Sequence, residues 1–424
     1  MNHLLDRPDT LATGDHVQLH DELTAFNRFG RATVCDTQAG EGHTSTFRVP
    51  IYLNEFWTAK QRAANRLHEI SYRACFKPQL PRFFIERLTK PGEIVFDPFM
   101  GRGTTLLEAA LLGRIPYGCD ANPLCTRLIR PRLNPPSLRE IQDRLGHIDF
   151  AAKAPLREDL LAFYHPHTLQ QLCALRSYLI AQESKGAFDG VDAWIQMVAL
   201  NRLTGHSRGF FSVYTLPPNQ AVTVESQLRI NERLNQCPEF RPIPDLILAK
   251  TKSLLRDLTE EARDTLPALA KQARLFANSC EAVPALADGC VDLIITSPPF
   301  LNVVDYASDN WLRNWFAGLD LQTAQLSIHR KLPDWEATMS RALTEMHRVL
   351  RPGGHLAFEV GEIQRGRIRL EESAMSLGAR VGFEPVLVLI NSQKFTKTAN
   401  CWGVRNNDLG TNTNRVVLFR KADH

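Results

Sequence analysis

Residues 296–300 read Thr296-Ser297-Pro298-Pro299-Phe300 and carry three groups that can act together on one flat ligand. Ser297 brings a hydroxyl. Pro298 brings a carbonyl whose neighbour, Pro299, has no N–H. Phe300 brings a ring on which a nucleobase can stack, worth roughly 1–3 kcal/mol. An exocyclic amine is a poor nucleophile because its lone pair is conjugated with its ring. Two acceptors that hold both amine hydrogens out of the ring plane turn that lone pair toward an electrophile. The two prolines keep the acceptors stiff, and alignment of this kind can supply up to about 7–11 kcal/mol of a barrier. No strong base is required, since the alkylated amine is acidic and sheds a proton.

The electrophile needs its own cradle, and a second motif supplies one: Asp97-Pro98-Phe99-Met100-Gly101-Arg102-Gly103-Thr104-Thr105. It lies between a short apolar run, Ile94–Phe96, and an apolar helix pattern, Leu106–Leu112. Glycines let the backbone approach a ligand closely, and a helix N-terminus offers free N–H groups. The spacing is Gly-x-Gly rather than Gly-x-Gly-x-x-Gly, and no Gly-Lys-Ser/Thr follows, so a triphosphate loop is not expected. Asp120 closes the next strand pattern, Pro116–Cys119, where it would accept from a ribose diol or act as a turn acid. Asn278, just after the strand pattern Arg274–Ala277, would reach an adenine. Together these fit S-adenosyl-L-methionine, its amino-acid end over Asp97 to Thr105 and its sulfonium methyl facing Ser297.

Both motifs need strands to carry them. Val291–Ile295 is β-branched and apolar, as in a strand covered on both faces of a parallel sheet. The prolines after it end the ladder and send the chain off at the strand's carboxyl end, where open α/β sheets hold ligands. Strand patterns alternate with helix patterns up to about residue 360, which predicts a mostly parallel sheet with right-handed crossovers. Pro385–Ile390 and Arg415–Arg420 predict a closing antiparallel hairpin. Residues 1–45 read as an arm or a peripheral strand pair, and 55–90 as helix interrupted by prolines. Trp311 and Trp315, one turn apart, predict a shared core face. Sheet periodicity lapses over 124–272, where 137–185 and 245–272 read as helices. Within that lapse, His206 to Gln220 is rich in aromatics, hydroxyls and amides. Such a loop would read base edges through Arg208, Asn219 and Gln220, or would simply join two helices. Arg202 and His206, with Arg208, would also meet phosphates.

The chain has 424 residues, 44% hydrophobic and 23% charged, which allows a sizeable core. Its net charge of +4 tolerates a nucleic-acid partner without demanding one. No segment resembles a signal peptide and no apolar run is long enough to span a bilayer, so a cytoplasmic, nucleoid-associated protein is expected. Nine scattered cysteines with no Cys-x-x-Cys pair predict reduced thiols and no metal site.

The two motifs together resemble the S-adenosylmethionine-dependent DNA amino-methyltransferases, which modify cytosine N4 or adenine N6. Tyr72-Arg73-Ala74-Cys75-Phe76-Lys77-Pro78 is similar to that family's third cofactor-contacting segment, and Arg351-Pro352-Gly353-Gly354 to its strand-entry turn. The resemblance covers about 68–123 and 274–420. It implies a Rossmann-like methyltransferase sheet, mostly parallel with a terminal antiparallel hairpin, plus a largely helical insertion. The divisions expected are an N-terminal arm (1–50), a cofactor half (51–123), a target-recognition insertion (124–272) and a catalytic half (273–424). It also implies Ser297, Pro298, Pro299 and Phe300 as catalytic. Phe76, Asp97, Pro98, Phe99, Gly101, Gly103, Thr104, Thr105, Asp120, Ala121 and Asn278 would bind the cofactor. Tyr306, Arg202, His206, Arg208, Asn219 and Gln220 would face duplex DNA with one base flipped out. Serine at 297 is commoner in the cytosine-N4 members, and a cognate restriction endonuclease is an implied partner. Cytosine C5 chemistry is disfavoured, because no Pro-Cys dipeptide occurs. Adenine N6 methylation, an RNA amino-methyltransferase and a non-catalytic nucleic-acid-binding module are the alternatives.

Overall fold

The computed structural model describes residues 14–41, 46–58, 64–73, 75–215, 221–299, 306–320, 331–363, 368–392 and 413–423. Nine strands form one sheet: β1 (Val34–Glu41), β2 (Thr46–Asn54), β3 (Ile94–Asp97), β4 (Ile115–Cys119), β5 (Arg274–Phe276), β6 (Val291–Thr296), β7 (Leu350–Val360), β10 (Phe383–Ser392) and β11 (Thr413–Lys421). Two short strands, β8 (Glu362–Ile363) and β9 (Ile368–Arg369), pair separately. The sheet order is β1-β2-β10-β11-β7-β6-β3-β4-β5. From β5 through β7 every pair is parallel, and β11 runs antiparallel between β7 and β10. This is an α/β, Rossmann-like sheet, mostly parallel with the expected closing hairpin.

Strand alternation decides what each face buries. Leu293 and Ile295 of β6 join Val95, Ala357, Leu389 and Val416 under Leu19, Leu23, Phe83 and Phe84 of helices Gly14–Ala25 and Gln79–Leu88. Ile294 joins Phe96, Phe358, Val388 and Val417 on the other face, under helices Leu332–Val349 and Leu370–Arg380. Both faces are covered, which is why the run Leu293–Ile295 of β6 is apolar rather than alternating. The chain winds outward from β3 to β4 and β5, and from β6 to β7 on the other side. The crevice between the carboxyl ends of β3 and β6 is therefore the topological switch point.

Of the two forms expected for the N-terminal region, the described residues take the strand pair rather than the arm. They form a helix and the β1–β2 hairpin, and β2 extends the sheet by pairing in parallel with β10. The boundary placed at 50/51 thus falls inside a strand. Buried Asn391 fastens this addition, accepting from the Phe56 and Trp57 amides at 2.7 and 3.2 Å. Among the described residues of 55–90, helix occurs only at Arg66–His68 and Gln79–Leu88. Prolines 78 and 81 sit at the start of the second helix, where a missing N–H is tolerated.

Residues 124–272 are helical as expected, with helices at Leu124–Leu133, Gly190–Leu200 and Val224–Leu234 beyond those the sequence indicated. They do not fold around a core of their own: one apolar cluster joins Leu106 and Leu107 to Leu128, Ile129, Leu172 and Trp194. Trp311 and Trp315 are half-buried, each facing an arginine (Arg157 and Arg176). Leu312 and Phe316, one position further round the helix, are the residues fully buried there.

Gly103 connects the insertion to the Gly-rich turn. It has φ +76°, and a Cβ there would lie 2.3 Å from Ile129 Cγ1. Gly103→Ala is expected to cost about 1–3 kcal/mol through overpacking and backbone strain, measured as a lower denaturant midpoint at unchanged slope. A midpoint unchanged from wild type would mean that Ile129 moves aside freely.

Candidate active site

Asp97 ends β3 and Thr296 ends β6. The Thr296 hydroxyl donates to Asp97 Oδ1 at 2.6 Å, so the two sequence motifs meet directly. A single cavity runs from one to the other, with about 940 Å³ of space between protein atoms, its mouth included. Phe76, Asp97, Pro98, Phe99, Gly101, Thr104, Asp120 and Ala121 line one end, and Ser297 and Pro299 the other.

The turn is braced from outside. Gly101 takes φ +48°, and its N–H donates to Asp120 Oδ2 at 2.9 Å. Asp120 Oδ1 accepts from the Asn122 amide at 2.8 Å. Asp120 is therefore the turn's brace as well as a cavity wall. Arg102 points away from the cavity, where its guanidinium donates to the carbonyls of Ile70 and Phe76 and to Thr104 Oγ1. This clamps the segment carrying Tyr72, Cys75 and Phe76 against the turn.

Some expected residues act elsewhere. Gly103 packs against Ile129 and does not line the cavity. Thr105 is fully buried, with its hydroxyl donating to the Ile295 carbonyl at 3.3 Å. Asn278 is not a wall either. Its carbonyl accepts from Cys119 Sγ, and Ser279, Cys280 and Glu281 line the cavity in its place because β5 ends at Phe276. Pro298 is buried within the corner. Arg202 does not reach the cavity. It lies over the Phe210 ring at 3.9 Å, and burial pushes its pKa down to about 10. The loop around it closes on itself, with Phe211 N bonded to Arg202 O and Thr215 N to Gly205 O. His206 and Arg208 are exposed on that loop. Phe300, Asn219, Gln220 and the Tyr306 side chain lie outside the described residues.

Three residues that the sequence reading missed complete the site. Ser297 Oγ donates to Glu359 Oε2, on the neighbouring strand β7. Glu359 is 4% exposed, and its other oxygen accepts from Asn414 Nδ2 at 2.9 Å. Burial raises its pKa above the usual glutamate value, against the two hydrogen bonds. A lone carboxylate in the apolar run Leu356-Ala357-Phe358-Glu359-Val360 was the available signal. Trp335 Nε1 donates to the Pro299 carbonyl at 3.0 Å.

The described lining includes three carboxylates (Asp97, Asp120 and Glu281) and no lysine or arginine. Such a cavity repels phosphates and suits a cation with an apolar body. S-adenosyl-L-methionine, with its sulfonium and ammonium charges, fits this donor set. The fold and the cavity thus fit one class: a Rossmann-like unit with a site suited to S-adenosyl-L-methionine.

Sequence comparison narrows the class. Residues 37–130 match the family model of N6/N4 amino-methyltransferases, described as DNA methylase. The match begins within β1, so the hairpin goes with this unit. The chain is 23% identical over 287 residues to Type II methyltransferase M.BsoBI of Geobacillus stearothermophilus, covering 61% of this chain and 55% of that one. It is 30% identical over 117 residues to Type II methyltransferase M.MvaI of Kocuria varians, covering 27% and 24%. Against Type II methyltransferase M.MjaII of Methanocaldococcus jannaschii it is 42% identical over 52 residues, covering 12% and 10%. The matched region thus spans about half the length of the first of these proteins and a quarter or less of the others. These findings bear out the resemblance to the amino-methyltransferases of DNA.

Burial pushes Asp97 up to about 7, against hydrogen bonds from the Thr296 hydroxyl and the Phe99 amide. A carboxyl half-protonated near neutrality loses its proton when a cation arrives beside it. Titrating S-adenosyl-L-methionine into the protein at pH 7, in two buffers of different ionisation heat, is expected to show net proton release that Asp97→Asn abolishes. Equal heats in both buffers would mean that Asp97 stays in one protonation state.

Proposed function

We propose that this protein transfers the methyl group of S-adenosyl-L-methionine to the exocyclic amine of a base flipped from duplex DNA, with cytosine N4 the target. The observation that carries this reading is the continuous cavity from Gly101 to Ser297, which lets one small molecule touch the Gly-rich turn and the Pro-Pro corner together. Serine at the corner, rather than Asp or Asn, supports cytosine over adenine.

The chain's own groups account for the activation. The Ser297 hydrogen is committed to Glu359, so Oγ turns its lone pairs toward the cavity and can only accept. The Pro298 carbonyl offers a second acceptor with no N–H beside it. An amine held by both has its hydrogens drawn aside and its lone pair exposed. When bound, the cofactor supplies a methyl carbon on a sulfonium, and the carboxylates of the cavity favour that charge. The proton that the amine sheds has Ser297 Oγ and Glu359 Oε2 in line to receive it. A cognate restriction endonuclease is the partner this role implies, and the nucleoid the site of action.

The first test is methyl transfer from labelled cofactor to duplex DNA and to transcripts, with the product nucleoside identified. N4-methylcytosine in DNA is expected. N6-methyladenine or labelled RNA would move the reading to its alternatives, and no transfer to either would leave a binding module.

The pH dependence tests the acceptor. As a carboxylate, Glu359 takes the Ser297 hydrogen. Protonated, it donates instead, and the Ser297 hydrogen swings toward the amine and opposes it. Activity should therefore fall as pH drops through the raised pKa of Glu359, above the range of an ordinary glutamate. Glu359→Gln should lose about 10²-fold in kcat and lose that acid limb. An acid limb retained in the variant would count against this role.

A further inference from the structure

Two carbonyls are available at the Pro-Pro corner, and the mechanism needs only one. We infer that Trp335 is a positioning residue that selects it: its indole N–H binds the Pro299 carbonyl and leaves the Pro298 carbonyl to receive the amine. The inference rests on the transfer reading above. Trp335 is fully buried on helix Leu332–Val349, and its only polar atom donates to Pro299 O at 3.0 Å. Among the described residues none donates to the Pro298 carbonyl.

The position of this helix makes the bond consequential. One turn beyond Trp335, Thr338 and Met339 line the same cavity. Arg341 then holds the wall residue Glu281, with Nε to Oε2 at 2.5 Å, and Glu345 Oε1 accepts from the Val283 amide at 2.7 Å. One helix therefore touches the corner, lines the cavity and holds another of its wall residues. The corner has no second half-ladder to stiffen it: β6 ends at Thr296, and prolines 298 and 299 have no N–H to give. Two side chains from different elements fix it instead. Glu359 of β7 sets the hydroxyl, and Trp335 sets the peptide plane two residues on. Rotating that plane would aim the wrong carbonyl at the base. A misplacement of about 1 Å is enough to cost on the order of 100-fold in rate.

The test replaces Trp335 with benzothienylalanine, an isostere with sulfur in place of the N–H, and separately with Phe. Three readings are taken on the full chain. Single-turnover methyl transfer is expected to fall about ten- to a hundredfold in the isostere, with the KM for DNA and the cofactor dissociation constant within about threefold of wild type. Hydrogen exchange followed by mass spectrometry is expected to speed at Ile295–Ser297, with the remaining sheet unchanged. This reading needs neither cofactor nor DNA. Isostere rates within twofold of wild type, with unchanged exchange at the corner, would make the indole plain core and overturn the inference. Parallel loss of cofactor binding and of exchange protection across the sheet would also overturn it, as a general structural role. If the wild-type protein transfers no methyl group, the functional reading falls on its own, and corner exchange still decides whether the indole holds the turn.

Discussion

The bond from Thr296 Oγ1 to Asp97 Oδ1 joins residues 199 positions apart in sequence and closes the ends of the two adjacent strands β6 and β3 on each other. Both partners are buried, so the bond is costly if left unmade. Each flanking motif depends on it. The Gly-rich turn reaches Gly101 four residues after Asp97, and Ser297 follows Thr296 directly. Parallel pairing of β3 with β6, Phe96 opposite Ile294, brings the two strand ends level. The hydrogen bond then fixes their separation. A cavity that one ligand can fill from both ends follows from this pairing rather than from either motif alone.

Around that junction, charge is sorted by side. The cavity face carries carboxylates, and the arginine of the Gly-rich turn is turned outward. This arrangement explains why Asp120 can serve twice. Its two oxygens accept backbone amides at Gly101 and Asn122, which holds a left-handed turn in place, while its negative charge still faces the ligand space. The same sorting appears at the other end. Glu359 is buried and acts on the cavity only through Ser297, so a full charge stays clear of the space that a neutral base would fill.

What could be read from the sequence was local. The apolar run before Ser297, the two prolines after it, and the glycines after Asp97 are short-range signals, and the structure gives each the expected form. The order of helix and strand patterns was enough for a parallel sheet with a closing hairpin. Residues that depend on neighbouring strands were not legible. Glu359 reaches Ser297 because Thr296 lies opposite Phe358, a register that no single stretch encodes. Trp335 reads as core, and it is core; its polar atom matters only because the corner packs there. Asn278 missed the cavity because β5 stops at Phe276 and the chain turns before the residue that the pattern favoured. Arg202 looked like a phosphate ligand, yet a ring stacked on it and its loop closed over it, two contacts set by tertiary packing.

The irregular stretch beside the cofactor end shows how the fold tolerates a cavity at all. The described residues of 69–77 have no strand or helix to satisfy their carbonyls, and several of them are buried or half-buried. Buried backbone oxygens must find donors. Arg102 supplies Ile70 and Phe76, and Arg132, 1% exposed, supplies Leu67, Leu128 and the carbonyl of Arg102 itself. Neither pairs with a carboxylate among the described residues, and burial beside Arg102 pushes Arg132 down to about 9. Two cations are thus spent on main-chain oxygens, because a guanidinium fork can serve several carbonyls at fixed angles and a lysine cannot. The Arg in Gly101-Arg102-Gly103 is a structural part of the turn: it lets an unladdered segment wrap the ligand space while the glycines on either side let the backbone turn toward it.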